Sequence, residues 1–355
     1  MEEETFILRV RNVEIDGRPI WKLHLAMDYD LLASYVGLLA LASGTIYVGA
    51  HSSLPPHKSG GMRSEEDTER ITAGDAWLFP IIGSATLVSM YAVITHLGPE
   101  WISWALGCFF AVTGAGAVWK SLNALAEWAM GDVRWRGLKM IDFKTPLGVW
   151  PLRTVSVWLL PLAGVPSALY MYRRTAFLTD VLGVAFAHNA IALLKLDSFR
   201  TGVILLSGLF VYDVWWVFGT EVMVKVATSL DVPIKLLYPK SVVFSTERGF
   251  TMLGLGDVVV PGVFVALALR YDHQRAGSPA PGIPYYKAFF WTQMGMYVAG
   301  LTVTMGVMHL VQRAQPALLW LSPACVGGFL VANWWVGGQA WTWSDEAPDA
   351  ARKID

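Results

Sequence analysis

Two aspartates in this chain stand where a carboxylate is expensive: Asp213 inside LLSGLFVYDVWWVFGT and Asp257 inside MLGLGDVVVPGVFVALALR. Charged groups deep in an apolar span mark function by default, and for either aspartate alone a proton relay, an ion site or a structural hydrogen bond competes with catalysis. As a pair they are capable of more. Two carboxylates close together in a medium of low polarity cannot both ionise easily, so one keeps its proton while the other acts as a base. The base takes a proton from a water held between them, the water attacks a peptide carbonyl, and the protonated partner donates to the carbonyl oxygen. This scheme for peptide hydrolysis needs no metal and no cofactor, and the sequence implies none. The two cysteines, Cys108 and Cys325, lie in apolar stretches and build neither a metal cluster nor a disulfide framework.

The elements that must hold such a pair are membrane helices. With 355 residues, 54% hydrophobic, 15% charged and a mean hydropathy of +0.45, the chain carries more apolar surface than one soluble core hides. Its 17 tryptophans and 12 tyrosines suit repeated crossings of the two membrane interfaces. A net charge of -1 without a long basic run excludes nucleic acid as a partner. Nine stretches approach the roughly 20 residues that a bilayer core requires: 30–50, 76–97, 101–120, 152–171, 176–194, 200–220, 251–269, 288–310 and 316–338. The expectation is an all-α membrane protein of nine transmembrane helices. Lys and Arg are more numerous on the side that leaves the N-terminus outside and the C-terminus cytosolic.

The spans also set the depths of the two aspartates. Asp213 lies thirteen residues beyond Arg200, and Asp257 thirteen residues before Arg270. Successive spans run antiparallel, so both arginines fall on one face, and each carboxylate lies about 20 Å in from it.

Glycines flank the second aspartate. Gly254 and Gly256, on either side of Leu255, leave room for a substrate backbone beside Asp257 and for local unwinding of the helix start. Gln315-Pro316-Ala317-Leu318 opens the ninth span. It reads either as an ordinary helix start with proline in the first turn or as a corner that leaves carbonyls exposed for an extended peptide. Tyr212 beside Asp213 either meets substrate or finds some buried acceptor. Asp180, His188 and Asn189 add polar groups to the fifth span, with interhelical hydrogen bonding and a gate or water path as the two readings.

YD in the sixth span, GLGD in the seventh and QPALL before the ninth, in that order, resemble the GxGD intramembrane aspartyl proteases. The flanks LDSFRTGVILLSGLFVYDVWWVFGTEVMV and RAQPALLWLSPACVGG resemble the signal peptide peptidase family more closely than the presenilins, most strongly over residues 195–330. The resemblance implies a presenilin/signal-peptide-peptidase-like bundle with Asp213 and Asp257 as the catalytic pair. It also implies that Pro316, Ala317 and Leu318 support the site, with Tyr212, Gly254, Leu255 and Gly256 around the substrate. The implied activity is an aspartic endopeptidase of the endoplasmic reticulum membrane that cuts remnant signal peptides and type II-oriented transmembrane segments. The expected partners are those transmembrane peptides and the lipid bilayer, with a homo-oligomer or a membrane-protein degradation complex as further assemblies. The short segment near 225–248 implies a single chain that is not cut during maturation.

On this reading residues 1–29 form a luminal segment, 30–194 spans one to five, 195–338 the catalytic core and 339–355 a cytosolic tail. FILRV and IWKL around Asp16-Gly17 suggest a short hairpin or an extended lead-in, and the first span acts as an uncleaved signal anchor. RKID at the end resembles a dibasic retrieval signal. The absence of an Asn-x-Ser/Thr sequon leaves luminal N-glycosylation unexpected. The competing readings are a carboxylate-dependent transporter or ion-leak channel, for which paired broken helices in two related halves are missing, and a signal-peptide-peptidase-like paralogue with different substrates.

Overall fold

The computed structural model describes residues 11–15, 18–22, 29–55, 70–131, 134–135, 137–145, 148–229, 232–240, 249–279, 283–311 and 315–345. Near the N-terminus, β1 (Arg11–Ile15) and β2 (Arg18–Lys22) pair antiparallel, with Ile15 opposite Arg18. Of the two readings of this segment a hairpin is the one found, but its first strand is RNVEI and not FILRV, which lies with Asp16 and Gly17 outside the described residues.

Ten α-helices of eight residues or more follow among the described residues: α1 (Tyr29–Ser52), α2 (Ala73–Leu97), α3 (Pro99–Met130), α4 (Thr154–Tyr172), α5 (Ala176–Leu193), α6 (Phe199–Phe218), α7 (Val222–Ser229), α8 (Gly256–Arg275), α9 (Ala288–Val311) and α10 (Leu318–Trp335). All but α7 span 18 residues or more, and eight of these are apolar enough throughout to cross a membrane. The remaining long helix, α8, carries Asp257, Arg270, Asp272 and Arg275.

Its burial accounts for that composition. Nearly every residue from Val258 to Asp272 is buried, and α8 packs against α1, α5, α6, α9 and α10. A helix surrounded by protein on all sides need not present an apolar face to lipid, and its charges can be met by neighbouring groups. The main core is built around it, with Phe264, Phe199 and Phe329 in mutual contact. By contrast α2, with Trp77, Phe79, Ile81 and Ile82 exposed, is a lipid-facing helix.

Two boundaries differ from expectation. The third helix runs on to Met130 and stops at Gly131, whose φ of 78° suits glycine. Its 32 residues span about 48 Å, well past the membrane core. The seventh span was expected to be helical from 251, but Phe250–Gly254 is a strand, β8, and the helix begins only at Gly256. Two glycines in three residues disfavour helix, and the strand has a partner. β7 (Lys235–Pro239) pairs with it antiparallel, so that Lys235 stands opposite Gly254 and Pro239 opposite Phe250.

At the other end of α6 the chain is tied by β3 (Arg70–Ile71) and β6 (Lys195–Leu196), a short parallel pair. A further hairpin, β4 (Met140–Thr145) with β5 (Gly148–Arg153), precedes α4.

Candidate active site

Asp213 is the fifteenth residue of α6 and is buried, 5% exposed. The strongest contact of its carboxylate comes from another motif. Pro316 and Ala317 lead into α10, and the Leu318 N–H, free because a helix's first amides have no intrahelical acceptor, donates to Asp213 Oδ2 at 3.0 Å. The QPAL segment thus brings a backbone donor to the carboxylate. The sequence could suggest a special corner there but not this bond, which is made by a main-chain atom.

Asp257 lies in the first turn of α8, immediately after β8. The Asp213 carboxylate is close enough to act on it electrostatically. The matching depths are consistent with this placement, and Arg270 at the far end of α8 does reach the start of α6, its Nη2 donating to Leu196 O at 3.3 Å. Gly254 borders Asp257 closely: a Cβ there would stand 3.2 Å from Asp257 Oδ2. Gly256 faces open space instead, and neither glycine takes a positive φ. The local unwinding is therefore a strand that hands over to a helix through Leu255, not a left-handed kink.

Other expected residues point elsewhere. Leu255 packs toward α5, its Cδ2 3.8 Å from a Cβ placed on Gly183. The Tyr212 side chain faces α2 at Gly83, with Cε2, Cζ and the hydroxyl oxygen 3.4, 3.6 and 3.8 Å from a Cβ placed there. Pro316 is buried and Ala317 half-buried at the mouth of α10. His188 bridges Ser52 and Ser121 at 3.0 and 2.9 Å, and Asn189 bonds the Ala117 carbonyl and Ser121, so both join α5 to its neighbours.

One neighbour of the pair escapes sequence reading altogether. Tyr297 of α9 is fully buried, lies within electrostatic reach of Asp257, and its hydroxyl has no hydrogen-bond partner among the described residues. A tyrosine in an apolar span is common, so only its position in space singles it out.

The β7–β8 hairpin carries the Asp257 end of the site. It rests on α1, where Ser34 Oγ lies 2.6 Å from Thr251 Oγ1 and the Tyr238 ring packs onto Gly37. Leu255 N donates to Ile234 O at 2.9 Å and Lys240 N to Gly249 O at 3.0 Å. By the alternation of antiparallel pairing, the amides of Phe250, Met252 and Gly254 then point away from β7. Met252 and Gly254 are exposed along that edge. Among the described residues no three His, Cys, Asp or Glu side chains gather to hold a metal.

Helices long and apolar enough to cross a bilayer, with two carboxylates in electrostatic reach of each other among them, define a multi-pass membrane protein with a buried acid pair. The family model of signal peptide peptidase matches residues 63–349. The signal peptide peptidases of Mus musculus and Homo sapiens are each 35% identical over 306 residues, covering 83% of this chain and 78% of the relative. A probable intramembrane protease of Schizosaccharomyces pombe is 31% identical over 299 residues, covering 84% of this chain and 89% of its own length. A solved presenilin family intramembrane aspartate protease aligns over 85% of this chain and 99% of that one, with 16% identity and a TM-score of 0.47. The chain belongs to the signal peptide peptidase family and is an intramembrane aspartic endopeptidase. The transporter reading finds no support among these relatives.

Proposed function

We propose that Asp213 and Asp257 are the catalytic pair and that the substrates are remnant signal peptides and other type II-oriented transmembrane segments of the endoplasmic reticulum membrane. The observation that carries the assignment is the Leu318 amide on Asp213 Oδ2 at 3.0 Å, with Asp257 in electrostatic reach of the same carboxylate. With one oxygen of Asp213 held by that amide, the other is left for a water between the two acids. One carboxylate takes the water's proton as the water attacks the scissile carbonyl, and the other donates to the carbonyl oxygen.

A helical substrate shields its amides in its own hydrogen bonds, so it must unwind to be cut. The outward edge of β8 offers the unwound chain backbone partners at a depth where unpaired amides are costly. Gly254 and Gly256, without side chains, keep that approach open, while Pro316, Ala317 and Leu318 shape the Asp213 side. Leu255 and Tyr212 act behind this surface by packing on α5 and α2. Residues 195–338 make up the catalytic core and 30–194 the supporting spans, with residues 1–29 luminal and 339–355 cytosolic. Assembly with further copies or with a membrane-protein degradation complex belongs to the same reading.

The test uses the purified full chain in detergent with a labelled synthetic signal peptide. D213N and D257A each abolish product formation while inserting and purifying as wild type does. Turnover by either variant at the wild-type rate would sink the assignment.

A further inference from the structure

Asp180 takes no part in the carboxylate pair. It is the fifth residue of α5 and half-buried, and its Oδ1 accepts the Leu237 N–H at 2.7 Å. Leu237 stands opposite Met252 in the β7–β8 ladder. The Leu255–Ile234 and Lys240–Gly249 hydrogen bonds fix which residues face inward. Leu237 falls on the alternate set, so its N–H points away from β8. Half-buried and turned away from its own ladder, that amide needs another acceptor, and Asp180 supplies it. Three residues further along α5, Gly183 admits the same strand: Leu236 Cδ2 lies 3.1 Å from where a Cβ would stand.

These contacts form a continuous path to the site. Asp180 holds Leu237, the ladder places Lys235 opposite Gly254, and Gly254 lies beside the Asp257 carboxylate, where an added Cβ would stand 3.2 Å from Oδ2. On the α1 side the hairpin is held by Ser34, Thr251 and the Tyr238 ring. On that side Ser34 Oγ reaches the Tyr238 carbonyl only at 3.4 Å, whereas Asp180 accepts the neighbouring β7 amide at 2.7 Å and is the shorter restraint on sliding of the strand along its own axis.

We propose that Asp180 is a positioning residue of the proteolytic site, clamping the β7–β8 hairpin at one height beside Asp257 and so selecting which peptide bond of an unwound substrate is cut. The inference rests on the reading of Asp213 and Asp257 as the catalytic pair. A substrate strand laid along the free edge of β8 takes its register from that edge. Each residue of slippage moves a different bond to the acids, by about 3.3 Å. Without the carboxylate the Leu237 amide has no acceptor on α5, and the hairpin gains a reason to shift.

The experiment measures product masses, kcat and KM for the full chain in detergent with a synthetic signal peptide, comparing wild type, D180A, D180N and D257A. D180A is expected to lose about tenfold or more in kcat, the scale of a hydrogen bond to a charged group, and to make products whose ends are displaced by one or more residues. D180N, which keeps an acceptor oxygen at the same reach, is expected to restore the wild-type product ends. D180S, polar but too short to reach the Leu237 amide, takes the place of D180A if that variant does not fold. Wild-type product ends from D180A or D180S overturn the proposal whatever the rate, and so does an equal displacement in D180N. Residual cleavage by D257A overturns the catalytic assignment itself, and the product ends distinguish that failure from a failure of the clamp.

Discussion

Gly254 is where one atom decides the geometry of the Asp257 carboxylate. A methyl group at this position would stand 3.2 Å from Asp257 Oδ2, so the carboxylate must give way by a few tenths of an ångström. Catalytic geometry tolerates little of this, and G254A is expected to lower kcat by about tenfold while the thermal stability of the detergent-solubilised protein stays near that of wild type. Equal kcat values in the two proteins would show that Asp257 has slack in this direction. Tyr297 gives the opposite pairing of effects. Its buried hydroxyl lacks a partner among the described residues, so Y297F should leave stability unchanged or raise it by up to about 1 kcal/mol. If the hydroxyl acts on the acid or its water, kcat falls in the same variant, and steady-state kinetics beside a melting curve separate the two effects. The aspartates were legible because a carboxylate in an apolar run is costly. Tyr297 was not, because its type is ordinary in a membrane helix, and the Leu318 amide was not, because every residue has one.

Among the elements, the helices were the legible part, since a run of apolar residues has one use in a bilayer. The hairpin was not. KLLYP and FTMLG are five residues each, too short to declare a period, and FTMLG continues into an apolar run that reads as helix. Only the partner strand, with α1 and α5 beneath it, makes it extended. α8 was legible by its motif, although its charges make it the least membrane-like of the long helices; burial on all sides removes the need for an apolar face. The hairpin's seat on α1 yields a prediction in which local and tertiary terms oppose each other. G37A favours helix by about 1 kcal/mol, yet its methyl would collide with the Tyr238 ring. The ring and β7 must move together, so the expected result is at least about a tenfold loss of cleavage despite the better helix former. A peptide-cleavage assay on the purified variant decides it, and wild-type activity would mean that the ring turns aside without moving the strand.

For the molecule as a whole, the described end of the chain closes the face from which α6 starts. Ser344 pairs with Ser198, and Asp345 N donates to Asp197 O at 2.6 Å. Trp343 packs on Phe199 and Tyr271 and donates from Nε1 to Gln274 at 2.8 Å. Asp345 Oδ2 lies 3.1 Å from Arg270 Nε, with Arg270 only 4% exposed, and Arg70 and Lys195 stand in the same field. Among the described residues the Asp345 carboxylate therefore acts on both Arg270 and Lys195, which Arg70 repels, where β3, β6, α8 and residues 339–345 meet. Removing one partner of such a buried pair leaves uncompensated charge, at a cost of about 3 kcal/mol. D345A should accordingly lower the temperature of half-inactivation in detergent by on the order of 5 °C. The shift should be the same in low and high salt, because a pair this enclosed is little screened. Asp213 and Asp257 lie about 20 Å in from this face, so cleavage well below the inactivation temperature should stay within about twofold of wild type. A variant as heat-resistant as wild type would mean that the aromatic contacts of Trp343 hold the closure without the ion pair. An early loss of activity at low temperature would instead mean that the ends of α6 and α8 on this face set the spacing of the two acids.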